Sequence, residues 1–245
     1  MEVNMKISTK VKNRIIAFVL SLSLVLGMGI IWSPAAMAAS SSSTSLYNNT
    51  GKPIADSLRT SFNGSLAQTI AGRAIWYMEY GYMVYGHSKY PTTGYIDCSN
   101  FVSLVYKDFG YSITSAARNY GQVGVKVAGV SVKNGTLIGA DKLKPGDILT
   151  FQRTSYISHV AMYIGNVNGK PCFIGTTTGY PTAIGIVSGF KNWYGTQFHD
   201  VRRVLPASAY VAGGKITDKG PVIPAKYQIK PSKPIIMPKN LPAGF

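Results

Sequence analysis

Cys98 is the residue of this chain whose type and position most clearly suggest a catalytic role. The chain holds only two cysteines among 245 residues. Cys98 follows Asp97 at the start of an amphipathic helix that the sequence predicts over residues 97–110. The partial positive charge at a helix N-terminus favours the thiolate, which is the nucleophile of cysteine hydrolases. We therefore predict that Cys98 is a nucleophile whose thiol pKa is lowered. Taken alone, the residue type and its apolar helix face also fit a buried structural thiol.

His159 is the histidine that the sequence places best to act as a base. It belongs to the alternating apolar segment 158–165, in which it shares a strand face with Ala161 and Tyr163. We expect this face to meet the helix that carries Cys98. The other two histidines are interpreted as a loop residue near the cleft mouth and a strand-end residue: His87 and His199. The second cysteine, Cys172, is interpreted as a core thiol, although a Cys98–Cys172 disulfide stays open.

The elements that must position these residues come in two blocks. Helical periodicity runs in pieces over residues 57–85 and again over 97–110. After a loop that lasts to about residue 146, period-two patterns predict five strands, over residues 147–151, 158–165, 172–177, 184–187 and 198–205. Helices followed by a meandering antiparallel sheet predict an α+β fold class.

The first 38 residues are typical of an export signal. Four basic residues lie between positions 6 and 14, residues 15–32 are uncharged, and Ala36-Met37-Ala38 fits the small-residue cleavage rule. We predict cleavage after Ala38 and a bacterial protein, Gram-positive in type, that is secreted or associated with the cell wall. The alternative is an uncleaved membrane anchor, because the apolar run is long enough to span a bilayer.

The charge balance is strongly basic, with 25 Lys and Arg against 9 Asp and Glu and a net charge of +16. Residues 39–245 hold 21 basic and 8 acidic residues, which leaves +13. This charge favours polyanions, and export argues against nucleic acid, so we expect anionic wall polymers as partners. Residues 207–245 read as a basic, Pro-rich tail. With two cysteines and three histidines, we expect neither a metal site nor a cofactor.

Three sequence blocks together resemble the NlpC/P60 family of cysteine peptidases and amidases, which cut peptide stems of bacterial peptidoglycan. The blocks are Tyr-Ile-Asp-Cys-Ser-Asn-Phe-Val at 95–102, Leu-Lys-Pro-Gly-Asp-Ile-Leu-Thr-Phe at 143–151 and Ile-Ser-His-Val-Ala-Met-Tyr-Ile-Gly-Asn at 157–166. The resemblance covers about residues 66–206. It implies a papain-like fold, in which a helix bearing the cysteine packs on an antiparallel sheet bearing the histidine.

The resemblance also implies roles for individual residues. Cys98 would be the nucleophile and His159 the general base, while Asp97 and Ser99 would help to hold the free amino end of the stem peptide. In the family, a tyrosine in a Tyr-x-x-Gly-Gly pattern also lines this substrate site. Tyr82 is its best match, although the first glycine of that pattern is a tyrosine here.

The third catalytic member departs from the family pattern. The family places His, Asn or Gln after an apolar pair on the strand that follows the histidine, and here that position is Gly175. A threonine hydroxyl at 176 or 177, a backbone carbonyl, a water or His199 could orient the imidazole instead. Thr176 and His199 are the tentative third members. A catalytically impaired domain is the remaining alternative.

These observations predict four segments: a signal peptide (1–38), a Ser/Thr-rich lead-in with a first helix (39–65), a catalytic domain (66–206) and the basic tail (207–245). The predicted function is hydrolysis of the γ-D-glutamyl–diamino acid bond of peptidoglycan stems. An impaired wall-binding protein, or an amidase acting on another amide such as poly-γ-glutamate, is the alternative.

Overall fold

A computed structural model describes residues 51–80, 83–87, 95–177, 182–191 and 193–213 of the chain. The predicted signal peptide, Tyr82 and the tail beyond residue 213 lie outside these residues. Within the described ranges, no helix is both long and apolar enough to cross a membrane.

The described residues build a six-stranded sheet in the order β3-β10-β6-β7-β8-β9. Its neighbours all pair antiparallel. The sheet strands are β3 (Val125–Lys126), β6 (Ile148–Gln152), β7 (Ile157–Val167), β8 (Lys170–Thr176), β9 (Ile184–Ser188) and β10 (Phe198–Arg203). Short pairs lie outside it: β1 (Val84–Tyr85) with β2 (Tyr95–Ile96), and β4 (Ser131–Lys133) with β5 (Thr136–Ile138).

Three helices cover one face of the sheet: α1 (Gly51–Thr60), α2 (Leu66–Tyr80) and α3 (Cys98–Lys107). Their apolar residues share one core cluster with Val160, Met162 and Ile164 of β7. The opposite face carries a smaller cluster, rich in aromatic rings, that includes Ala161 and Tyr163 of β7. The short helix α4 (Trp193–Gln197) contributes Tyr194 to this second cluster. The alternation of β7 therefore divides its side chains between two cores.

The predicted α+β fold class is confirmed, and each of the five predicted strands is present within a few residues of its expected bounds. The last strand is an exception to the meander, because β10 returns to pair with β6 instead of following β9. The loop expected before residue 146 contains the β4–β5 hairpin and β3. These strands are only two or three residues long, too short for a period-two pattern to be recognised.

The packed domain extends beyond the predicted 66–206 at both ends. Helix α1 lies in the predicted lead-in, yet Ala55 and Leu58 are buried in the helix-side core. At the other end, Ala209 is buried in that core, and the Gly213 amide donates to the Asn63 carbonyl at 3.1 Å. Residues 207–213 of the predicted tail are therefore attached to the domain through Ala209 and Gly213.

The Pro-Gly-Asp segment before β6 has a structural role. Asp147 is fully buried and accepts two hydrogen bonds from Arg203 of β10, at 2.8 and 2.6 Å, and one from the Lys144 amide at 2.8 Å. Gly146 has a φ of 91°, and an added Cβ would lie 3.0 Å from Leu205. Glycine is therefore required at this turn, which fixes where β6 starts beside β7.

Candidate active site

Helix α3 places Cys98 in its first turn, because Asp97 caps the helix as predicted. Asp97 Oδ1 accepts hydrogen bonds from the Asn100 amide and from Ser99 Oγ, each at 2.8 Å. A carboxylate in this position satisfies helix N–H groups that would otherwise lack partners. The sulfur atom of Cys98 consequently lies at the end of the helix that faces β7.

Backbone N–H groups, including that of Val160 in β7, lie close enough to the Cys98 sulfur to favour its thiolate form. The pairing of β7 with β8 runs from Met162 to Val167, so Val160 lies beyond it and can donate to the sulfur. Val160 directly follows His159, and the sulfur therefore lies beside the strand residue next to the predicted base.

The thiol of Cys98 is protonated in this environment, contrary to the expectation of a lowered pKa. Burial, together with the neighbouring negative charge of Asp97, raises the pKa of Cys98 to about 12. The backbone N–H groups of Val160, Ser99 and Cys98 itself act in the opposite direction, but they do not outweigh the loss of hydration. The prediction from the helix N-terminus was wrong because it took no account of burial.

His159 lies on the other face of β7 from the one that packs against α3. It shares its face with Ala161 and Tyr163 as predicted, but the expectation that this face meets the Cys98 helix was wrong, because that helix packs on the Val160 face. Tyr194 connects the two residues: its ring is stacked on that of His159, and burial, followed by the nearby charge of Cys98, raises the pKa of Tyr194.

Aromatic rings surround the His159 imidazole. Its ring centroid lies 5.4 Å from Phe151, 5.4 Å from Trp193 and 6.1 Å from Tyr194, whose ring is almost parallel to it. Burial lowers the pKa of His159 well below its ordinary value. The base is therefore neutral, in the form that can accept a proton.

An open pocket of about 380 Å³ lies in front of Cys98. Its lining includes the predicted residues Asp97 and Ser99. Asp97 Oδ1 caps helix α3, whereas Asp97 Oδ2 lies 3.3 Å from Nδ1 of the exposed His87. His87 thus lines the cleft mouth, as expected. Two tyrosines also line the pocket, Tyr85 and Tyr156. Tyr82 lies outside the described residues.

The hydroxyl group of Tyr85, in the wall of the pocket, stays protonated. Burial, with smaller contributions from the charges of Cys98 and Asp97, raises the pKa of Tyr85 to about 12. Its hydroxyl can therefore donate a hydrogen bond to a ligand at neutral pH.

Sequence reasoning missed the far wall of the pocket, which is formed by residues on two segments without a motif: Ser115–Arg118 and Tyr156–Ser158. Ser99 Oγ also lies 2.8 Å from the Ser115 carbonyl, which shares the single hydroxyl proton with Asp97 Oδ1, and Tyr120 Oη donates to the Ser99 carbonyl at 3.1 Å. These bonds attach the wall to the first turn of α3. In the sequence, Tyr120 is the one residue near Ser115–Arg118 whose type suggests that this segment packs against the helix of Cys98.

The two candidates for the third catalytic member have surroundings that do not favour that role. Thr176 follows Ile174, which belongs to the helix-side core, so alternation points Thr176 away from the His159 face. Its buried hydroxyl has no hydrogen-bond partner among the described residues. His199 is 41% exposed, and its Nδ1 lies 3.4 Å from Thr150 Oγ1 and 3.6 Å from Asp200 Oδ1. The identity of the residue that orients His159 stays a prediction.

Both cysteines are free thiols, so the disulfide that the sequence left open is absent between them. Cys172 is buried in β8, and its thiol donates weakly to the Lys170 carbonyl at 3.5 Å. Across the described ranges, no group of three His, Cys, Asp or Glu side chains is arranged to hold a metal ion.

Comparison with known proteins agrees with the resemblance seen in the sequence. Residues 80–179 match the model of the NlpC/P60 family. A protein of Listeria innocua serovar 6a, named "Probable endopeptidase p60", is 34% identical over 76 residues. This match covers 31% of the present chain but only 14% of that protein's length.

Solved structures give the same family name with modest overall superposition. An NlpC/P60 family protein from Bacillus cereus is 25% identical, with a TM-score of 0.41, over 56% of this chain and 40% of that one. The NlpC/p60 domain of the peptidoglycan hydrolase SagA is 20% identical, with a TM-score of 0.40, over 56% of this chain and 97% of that one.

A cysteine at the start of a helix, a histidine on the adjoining strand and a pocket in front of the thiol are what a papain-like hydrolase domain would require. The family match agrees with this arrangement: residues 80–179 match the model of the NlpC/P60 family, and the resemblance predicted from the sequence blocks is confirmed.

Proposed function

We propose that the protein is a secreted thiol hydrolase that cleaves the γ-D-glutamyl–diamino acid bond in peptidoglycan stem peptides. The observation that carries this proposal is the position of Cys98. Its sulfur is close to the N–H group of Val160, the residue that follows His159 in β7, and Cys98 lines the same pocket as Asp97 and Tyr85. The family match and the name of the Listeria relative support an endopeptidase.

In the proposed reaction, the Cys98 sulfur attacks the scissile carbonyl carbon while His159 accepts the thiol proton. Proton transfer accompanies attack, because burial holds both groups neutral beforehand. His159 then returns the proton to the leaving amine, which departs as the C–N bond breaks and leaves a thioester on Cys98. A water, deprotonated by His159, hydrolyses the thioester and releases the carboxylate product and the thiol.

The amino-terminal end of the stem is proposed to bind at Asp97. Its Oδ2 is the carboxylate oxygen that is not engaged in capping α3, and it contacts only the exposed His87 among the described residues. An ammonium group of the substrate would displace His87 and form a charge-assisted hydrogen bond there. The Tyr85 hydroxyl and Ser99 line the same pocket.

The proposed site of action is outside the cell, at the cell wall. The predicted export signal supports secretion. The excess of basic residues supports attraction to anionic wall polymers, which would weaken as salt rises. Within the described residues, most of the acidic side chains are already paired with Lys or Arg, which leaves the unpaired charge largely positive.

Digestion of purified muropeptides, followed by mass spectrometry, tests the proposal. The wild-type protein should release the fragment that ends in γ-D-glutamate, and Cys98→Ala should release none while keeping its circular dichroism spectrum. Cys172→Ala is the matched control, because it removes the other buried thiol, and it should keep most of the activity. A dead Cys172→Ala with an active Cys98→Ala would reverse the assignment.

A second candidate is a wall-binding protein with impaired catalysis. It is favoured by the raised pKa of Cys98 and by Gly175 at the position of the usual third member. Binding of muropeptides that are recovered uncut by both wild type and Cys98→Ala would favour this candidate. Cleavage of poly-γ-glutamate, but not of muropeptides, would instead favour an amidase with another substrate.

A further inference from the structure

Arg118 lines the pocket in front of Cys98 but takes no part in holding the fold together. Four other arginines of the described residues form ion pairs with carboxylates: Arg59, Arg73, Arg202 and Arg203. The exposed Arg118 guanidinium makes no hydrogen bond or ion pair with any described residue. A guanidinium that is left unpaired at a reactive pocket is available to a ligand.

The backbone that carries Arg118 is firmly attached to the catalytic helix. Arg118 is the second residue of the 3₁₀ helix Ala117–Gln122. Within this helix Tyr120 donates to the Ser99 carbonyl, and just before it the Ser115 carbonyl accepts from Ser99 Oγ. The position of Arg118 relative to Cys98 is therefore set by hydrogen bonds to the residue that follows the nucleophile.

The pocket thus presents two opposite charges that are not paired with each other. Asp97 Oδ2 faces the pocket beside His87, while Arg118 lies on the wall formed by Ala116, Ala117 and Tyr156. A ligand with an ammonium group and a carboxylate would satisfy both, and a dianion such as phosphate would meet repulsion from Asp97. Planar guanidinium groups bind carboxylates through two parallel hydrogen bonds.

We propose that Arg118 is a specificity-determining residue that binds a free carboxylate next to the scissile bond. This inference rests on the proposed function, and it narrows the substrate to peptides with an unamidated γ-linked glutamyl residue. A γ-linked glutamate keeps its α-carboxylate, which branches from the acyl chain that Cys98 attacks. Amidation of that carboxylate removes the charge but preserves the shape.

The test compares alanyl-γ-glutamyl-lysine peptides whose glutamyl α-carboxylate is free or amidated. Their binding to the full-length Cys98→Ala protein is measured by calorimetry, so that hydrolysis does not interfere. We expect the free form to bind about tenfold more tightly, which corresponds to about 1.4 kcal/mol. Adding Arg118→Gln should remove this preference without changing the affinity for the amidated form, and Arg118→Lys should retain part of it.

Arg153→Gln is the matched control, because Arg153 is also exposed but does not line the pocket. It should leave the preference intact. The inference is overturned if Arg118→Gln keeps the preference for the free carboxylate, or if it weakens the binding of both peptides equally. It is also overturned if Cys98→Ala binds neither peptide at millimolar concentration. Muropeptide cleavage by the wild-type protein reports on the proposed function separately, so either idea can fail while the other stands.

Discussion

The two sides of the site differ in their access to water. His159 lies among the rings of Phe151, Trp193 and Tyr194, on the aromatic face of the sheet. Cys98 lies at the end of a helix on the other face, and in front of it opens a polar pocket with Asp97 and Arg118 in its walls. The aromatic surroundings of His159, which we call the dry side, keep the base neutral. The pocket residues Asp97 and Arg118, which we call the wet side, offer charges that can bind a substrate.

This difference separates catalysis from recognition within one small site. Burial makes a thiolate–imidazolium pair unfavourable before substrate binds, since it raises the pKa of Cys98 and lowers that of His159. Recognition depends instead on groups that stay hydrated and charged. Variants of the two buried reacting groups, Cys98 and His159, should therefore change kcat, whereas variants of the charged pocket residues should change KM.

Removal of the base should give the largest effect on the dry side. His159→Ala should lower kcat by about 10²–10⁴-fold, which is typical for the loss of general base catalysis, with little change in KM. Steady-state kinetics on a purified stem peptide measure this. His199→Ala is the matched histidine variant and should keep a near-normal rate. An equal loss in both variants would identify His199 as the group that orients His159.

On the wet side, Asp97→Asn should raise KM about ten- to a hundredfold for peptides with a free amino end and should leave kcat nearly unchanged. The amide keeps an oxygen for capping α3 but loses the charge that binds an ammonium group. Acetylation of the peptide's amino end should abolish the difference between wild type and Asp97→Asn. If kcat falls while KM is constant, Asp97 acts on the nucleophile instead.

Stability should decrease toward both acid and alkaline pH because of the buried pair. Below pH 6.5 the unfolded chain protonates His159, whereas the folded chain, with its lowered pKa, does not. The free energy of unfolding should therefore fall by up to about 1.4 kcal/mol per pH unit. Above pH 9 the unfolded chain ionises Cys98 while the folded chain keeps its proton, because the folded pKa is raised to about 12.

Urea denaturation across this pH range measures both slopes. His159→Gln should reduce the acid slope and leave the alkaline slope unchanged. Cys98→Ala should leave the acid slope unchanged and reduce the alkaline slope without abolishing it, because burial also raises the pKa of Cys172. Acid and alkaline slopes that stay as in wild type would show that neither group is held neutral by burial.

The smallest effect is expected at Thr176. Thr176→Val replaces a buried hydroxyl that lacks a described partner by a methyl group, so stability should be unchanged or slightly raised. Because Thr176 points away from the His159 face, kcat should be unchanged as well. A fall in kcat without loss of stability would restore Thr176 as the third catalytic member.

The sequence predicts the elements that depend on local patterns. The N-cap at Asp97, the α3 helix and the five strands follow from turn chemistry and periodicity, and each is present. The return of β10 to β6 and the burial of α1 depend on contacts far apart in the chain, which periodicity does not encode.

Cys98, His159, Asp97 and Ser99 could be named from motif blocks, but their surroundings could not. The direction of the thiol pKa depends on how deeply α3 is covered, and the neutral state of His159 depends on rings brought from β6 and α4. Arg118 and Tyr156 enter the pocket through segments without a motif, so only the folded chain places them there.

The central claim is that Cys98 forms an acyl bond with the substrate and that His159 enables this step. Rapid acid quenching of a single turnover on a stem peptide, followed by proteolysis and mass spectrometry, tests it most directly. We predict an acyl adduct on the fragment that contains Cys98, formed at least a hundredfold more slowly in His159→Ala. An adduct on Cys172, or turnover without any acylated Cys98, would contradict the account.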